Sequence, residues 1–126
     1  MSITLEPIGY FHTDSTETPR HWSMSNEGGI LDIISDYAPG LKDIEPGQRI
    51  VVLFHFDKSR PFSLDLLVQH PKHKEKPMGV FSICSPMRPN AIGMSVLKVL
   101  EIDVNRLKVV HTDMMDKTPI LDIKPY

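Results

Sequence analysis

Apolar residues in this chain come in short runs bounded by proline, glycine and charged residues, and no run keeps helical spacing over several turns. The plainest strand is residues 49–56, where Ile50, Val51, Val52, Leu53, Phe54 and Phe56 follow almost without a break. So short a β-branched and aromatic run predicts a strand buried on both faces. Residues 63–69 alternate Leu64, Leu66 and Val68 with Asp65 and Gln69, which predicts a half-buried strand. Residues 93–102 and 106–112 flank Asp103-Val-Asn105, a spacing that predicts a β-hairpin. Residues 3–10 read as a first strand with Pro7 and Gly9 near its end, residues 29–34 as a second, and Pro119-Ile-Leu-Asp-Ile as a strand that holds the C-terminus. Residues 14–26 are polar and read as a loop, and residues 36–48 leave room for about one helical turn. The segment 70–77 is a basic loop bounded by breakers.

The 11 prolines exceed the roughly six that an average usage of about 5% would give, and they fall at the edges of apolar runs. That placement punctuates strands. The pattern predicts a mainly β fold, a compact β-barrel with few short helices, and 126 residues suit a single domain spanning 1–126.

A formal charge of −2 argues against holding nucleic acid by bulk electrostatics, although a dimer can gather positive charge on one face. The single cysteine, Cys84, fits a reducing compartment. No apolar run approaches the ~20 residues of a membrane span, and the N-terminus lacks a secretory pattern. The expectation is a cytoplasmic protein without membrane partners. There is no glycine-rich phosphate loop, so Rossmann and P-loop nucleotide sites are unsupported. His70 and His73 have the spacing of metal ligands but lie among lysines, so a solvated loop is expected and no metal.

The segment Ser85-Pro-Met-Arg-Pro-Asn90 holds its backbone extended between two apolar runs and presents Arg88 and Asn90. Both suit binding of a polar substrate, a guanidinium for an anion and an amide for a base edge, or they brace the loop. Cys84 is either a nucleophile near Arg88 or a small residue at a strand end. Asp113 and Asp116 either cap a turn or accept hydrogen bonds from ribose hydroxyls or an ammonium.

Gly79-Val-Phe-Ser, then Ser85-Pro-Met-Arg-Pro-Asn-Ala-Ile-Gly93, then Asp113-Met-Met-Asp-Lys-Thr-Pro-Ile-Leu-Asp-Ile-Lys-Pro-Tyr126 resemble the TsaA/TrmO-like family in its short archaeal-type form. That family's pattern reads roughly GVF-x-TRSPxRPNPIG followed by D-x-x-DGTPVLDIKPY. The resemblance extends to Ile8-Gly9, Pro19-Arg20 and the run from Val51 to Lys58. It implies a homodimeric β-barrel methyltransferase that uses S-adenosylmethionine to methylate N6 of threonylcarbamoyladenosine beside a tRNA anticodon. Carried over by position, cofactor contacts fall on Pro19, Arg20, His21, Asp57, Lys58, Cys84, Met94, Asp113, Met114, Met115 and Asp116. Asp122, Lys124 and Tyr126 are the candidates for proton removal, and a flexible C-terminus contributed across a dimer is expected to serve as a lid. The loop 72–76 with Arg60 and Arg88 is the candidate for tRNA phosphate contact. His21 stands for the family's glutamine, Cys84 for its arginine, Ala91 for a proline and Lys117 for a glycine. These departures admit a methyltransferase with another substrate. A non-catalytic dimeric module that binds an adenosyl ligand or RNA is the alternative from a different class.

Overall fold

The computed structural model describes all residues 1–126. Its strands are β1 (Gly9–His12), β2 (Gly28–Ile33), β3 (Arg49–His55), β4 (Val68–Gln69), β5 (Met78–Gly79), β6 (Ile92–Asp103), β7 (Arg106–Val110) and β8 (Pro119–Pro125). Six of them close an antiparallel barrel in the order β1-β2-β7-β6-β3-β8, with β8 pairing back onto β1. β4 and β5 form a separate two-stranded ribbon. Helical structure is confined to short 3₁₀ turns, the longest at Ser35–Leu41. The mainly β barrel expected from the patterning is the fold observed.

Alternate residues of each barrel strand meet inside. Phe11, Leu31, Ile33, Ile50, Val52, Phe54, Leu97, Val99, Leu107, Val109 and Ile120 form one buried cluster. Closing the sheet removes its edges, so no row of backbone donors is left unpaired along the barrel.

β3 corrects one expectation. Ile50, Val52 and Phe54 are buried, whereas Val51 and Leu53 are only half-buried. Val51 lies between Val96 and Lys124, and Leu53 between Met94 and Asp122. Both lie on the outer face of the barrel, where their cover is partial. The N-terminal strand also starts later than its apolar run suggests. Ile3 and Leu5 are exposed, and pairing begins at Gly9, where a Cβ would lie 2.4 Å from the Asp32 carbonyl oxygen. The alternating segment 63–69 becomes a 3₁₀ turn at Leu64–Leu66 and only two strand residues. Leu64 lies in the turn and Val68 in the ribbon, and both stay exposed.

The hairpin of β6 and β7 forms as the spacing predicts, with Val104 and Asn105 at its turn. Asn105 Nδ2 donates to the Ile33 carbonyl at 2.6 Å, and the Ile33 amide donates to the Asn105 carbonyl at 2.9 Å, so the turn is pinned to β2. Val104 pays for this geometry with a φ of 56°, unfavourable for a β-branched residue. Its side chain is 77% exposed and packs on little. Val104→Asn should therefore raise the stability by about 1 kcal/mol in urea denaturation, since asparagine tolerates the left-handed region. A loss of stability would show that Val104 packs in the folded state.

Candidate functional site

The site is built on residue 93. Gly93 of β6 pairs with Phe54 of β3, and a Cβ there would lie 2.4 Å from the Phe54 ring and 2.8 Å from that of Phe56. Without one, the two rings meet edge to face, with centroids 5.0 Å apart and planes at 75°. They close this end of the barrel. A cavity of about 380 Å³ opens above them, within the usual range for small-molecule sites. Its apolar surface comes from Phe54, Phe56, Ile92, Met94 and Met114, and its charged groups are Arg20, Asp57, Lys58, Arg88 and Asp113.

Separate chain segments converge on that opening. The loop after β7 is fixed from beneath: the Thr112 amide donates to the Glu27 carbonyl at 3.0 Å, and Thr112 Oγ1 donates to the same oxygen at 3.1 Å. The Ser25 hydroxyl also donates to the Thr112 carbonyl. These bonds set Asp113 at the cavity, where it accepts a hydrogen bond from the Ser95 hydroxyl. Burial pushes the Asp113 carboxyl above its ordinary range. The Ser95 bond, the charge of His21 and backbone amides of Asp113 and Trp22 work in the other direction.

Asp116 behaves differently. It accepts the Thr13 amide at 3.0 Å, and that bond is the main cause of a pKa held below the ordinary carboxylate value, with smaller help from His12 and Lys117. Lys58 Nζ donates to the Asp116 carbonyl at 2.7 Å. The D-x-x-D segment thus divides its work: Asp113 faces the cavity, while Asp116 ties the loop to β1. Lys117, next along, has a φ of 69°, the left-handed conformation that suits the glycine of the family pattern.

Arg88 turns inward. Its Nη1 donates to the carbonyls of Ile83 at 3.0 Å and Ser85 at 3.2 Å, bracing the proline-bounded loop while the side chain lines the cavity. Arg88 thus braces the loop and also lines the cavity. Asn90 lies outside this cavity, in a neighbouring depression with Arg60 and Pro89.

Pro19, Arg20, Asp57, Lys58, Cys84, Met94, Asp113, Met114 and Met115 all line the one cavity. His21 and Asp116 do not. His21 Nδ1 accepts the Ser23 amide at 3.3 Å and caps the 3₁₀ turn Trp22–Met24, facing an adjoining cavity. Asp122 and Lys124 form an ion pair at 2.9 Å beside Leu53 and Val51, and they border a depression with Ile50 and Tyr37. Tyr126 sits 5.3 Å from the Arg49 guanidinium. Within one copy these C-terminal residues do not reach the cavity. Sequence reasoning missed its apolar floor, Phe54, Phe56 and Ile92, because an apolar run alone assigns such residues to the core.

Residues 8–126 match the family described as the tRNA-methyltransferase O N-terminal domain. An S-adenosyl-L-methionine-binding protein of Archaeoglobus fulgidus is 40% identical over 128 residues, covering 98% of this chain and 89% of that protein. A tRNA (adenine(37)-N6)-methyltransferase of Mus musculus is 32% identical over 133 residues, covering 99% of this chain but only 31% of that enzyme. The crystal structure of TrmO from Pseudomonas aeruginosa superimposes with a TM-score of 0.78 at 28% identity, covering 100% of this chain and 56% of the solved one. The chain thus spans about half of the solved protein and about a third of the mouse enzyme.

Two substitutions test the site. Gly93→Ala should cost about 1–3 kcal/mol of stability by displacing the Phe54 and Phe56 rings, as measured by denaturation; an unchanged midpoint would mean the rings are free to move. Asp113→Asn should leave the protein at least as stable as the parent at neutral pH, because a desolvated charge is removed. Its advantage should shrink as pH falls through the raised Asp113 pKa, since the folded parent then takes up the proton that relieves the cost. A large loss of stability at neutral pH would mean the charged form is the stabilising one.

Proposed function

The chain belongs to the family of tRNA-methyltransferase O N-terminal domains, and we propose that it is an S-adenosylmethionine-dependent tRNA methyltransferase. The proposed acceptor is N6 of threonylcarbamoyladenosine beside the anticodon. The observation that carries this reading is the convergence of Arg20, Asp57, Lys58, Met94 and Asp113 around one cavity with an aromatic floor.

The groups present suit the cofactor. Phe54, Phe56 and Ile92 offer apolar surface for a flat ring. Asp113 and Asp57 are acceptors for ribose hydroxyls or an ammonium, and Arg20 and Lys58 are cations for a carboxylate. Those cations matter more here because Cys84 stands where the family pattern has arginine, and a thiol cannot replace its fork of donors. When bound, the cofactor supplies an electrophilic methyl group on a positively charged sulfur. The protein's part is to hold the acceptor nitrogen in line with that methyl and to shield the site from water.

The acceptor nitrogen must lose a proton, because its lone pair is delocalised into the ring and the carbamoyl group. Asp122, Lys124 and Tyr126 are the proposed groups for this step. They lie on the outer face of β8 and the tail, beside the half-buried Val51 and Leu53. A homodimer is part of the proposal, with the tail of one copy reaching its neighbour's cavity. The proposed setting is the cytoplasm, where tRNA is available. The replacement at Cys84 also favours a second reading, a methyltransferase of the same cofactor with a different acceptor.

Calorimetry with S-adenosylmethionine should give saturable one-site binding, weakened about tenfold or more by Asp113→Asn. The protein should then transfer methyl groups to tRNA carrying threonylcarbamoyladenosine and not to the same tRNA without it. Absence of cofactor binding would overturn the enzyme reading. Transfer to neither tRNA, with the cofactor bound, would leave the second reading in its place.

A further inference from the structure

A second cavity, of about 790 Å³, adjoins the first and shares Arg20, Ile83, Cys84 and Pro86 with it as a partition. Its chemistry is one-sided. Arg20, Arg60, Lys72 and Lys74 line it together with His21, His70 and His73, and no aspartate or glutamate does. In a chain of net charge −2 this is a marked separation of charge.

The cations there are also unpaired. None of the four takes part in an ion pair; those in the protein involve His12, Arg106 and Lys124. Each guanidinium has a thioether as its side-chain partner: Arg20 Nη2 lies 2.7 Å from Met24 Sδ, and Arg60 Nε lies 3.0 Å from Met87 Sδ. Sulfur is a weak acceptor and a guanidinium carries five donors, so most of their capacity is left for a ligand. The His73 pKa is held below the ordinary value by desolvation and by the charges of Arg20 and Lys74, which reach it from separate loops.

The wall carrying these groups is held in place. Gln69 Nε2 donates to the Leu66 carbonyl at 2.7 Å and the Met87 carbonyl at 2.8 Å, joining the β4–β5 ribbon to the proline-bounded loop. A ring nitrogen of His70 lies 2.9 Å from the Lys74 carbonyl and closes the basic turn. Leu66, Val68, Ile83 and Met87 add apolar surface beside the cations. A cavity with such surface and unpaired cations fits a nucleobase that carries or flanks an anion.

We propose that this second cavity is the acceptor cleft: it receives the adenosine to be methylated, and Arg60, Lys72 and Lys74 hold the anionic group that accompanies it. The inference rests on the tRNA-methyltransferase reading and adds the place where the RNA enters. The partition at Cys84 and Ile83 then marks where acceptor and cofactor face each other. The anion is a backbone phosphate of the RNA or a carboxylate on the modified base, and both satisfy the same donors.

The test uses the full chain and a triple variant, Arg60→Gln/Lys72→Gln/Lys74→Gln. Three probes are titrated: S-adenosylmethionine, an unmodified anticodon stem-loop, and free threonylcarbamoyladenosine nucleoside, which has the carboxylate but no phosphate. The variant should keep its cofactor affinity and lose about tenfold or more for at least one acceptor probe. Loss for the stem-loop, with a salt dependence shallower by about 0.7 for each phosphate contact removed, identifies phosphate as the anion. Loss for the nucleoside identifies the carboxylate. Unchanged affinity for both acceptor probes overturns the proposal, and so does a variant that loses cofactor affinity while remaining folded. Lys72→Gln/Lys74→Gln, confined to exposed loop residues, gives the same reading with smaller shifts if the triple variant does not fold. Cofactor binding by the unaltered protein is read separately, so failure of the enzyme reading is distinguishable from failure of the cleft.

Discussion

The packing at the cavity end of the barrel depends on residue 93 having no side chain. The pairing of Gly93 with Phe54 leaves room for the Phe54 ring and for Phe56 set edge-on against it. These rings belong to two structures at once. Phe54 completes the barrel's buried cluster, Phe56 packs against that cluster, and both form the floor of the cavity above. A disturbance of either ring therefore reaches the barrel's packing and the cavity floor together.

The charged groups around this floor are placed by backbone constraints more than by their own attractions. Asp113 reaches the cavity because Thr112 is bonded to Glu27, with Ser25 closing the arrangement. Asp116, three positions on, is taken up by the Thr13 amide. Two carboxylates in one short motif consequently move in opposite directions, one raised by burial and one lowered by a hydrogen bond. Arg88 is fixed in the same manner, through the carbonyls of Ile83 and Ser85. A rigid rim of this kind lowers the ordering cost of holding a ligand.

The barrel was legible wherever a period of two was enforced by an apolar interior. The β6–β7 hairpin could be read directly, since two apolar runs flank a short turn. β4 and β5 could not, because Leu64 and Val68 alternate with polar residues and yet face no core. On β3 a continuous apolar run concealed which face was inside: Val51 and Leu53 are apolar too, yet only half-buried on the outer face. For the site, the resemblance to a known family singled out residues from distant segments that no local pattern connects, and the fold brings most of them to one cavity. Phe54 and Phe56 went unnoticed because a ring that floors a cavity and a ring in a core look alike in sequence. Asp122, Lys124 and Tyr126 lie in a conspicuous motif, but the register of β8 sets the first two on the outside of the barrel.

The cavity above Phe54 is the proposed seat of S-adenosylmethionine, and a crystal structure of the protein saturated with the cofactor would locate it. The ligand is expected over the Phe54 and Phe56 rings, with the Asp113 carboxylate in hydrogen-bonding range. A ligand seated instead beside Asp122 and Lys124, or in the cation-lined cavity alone, would contradict this placement.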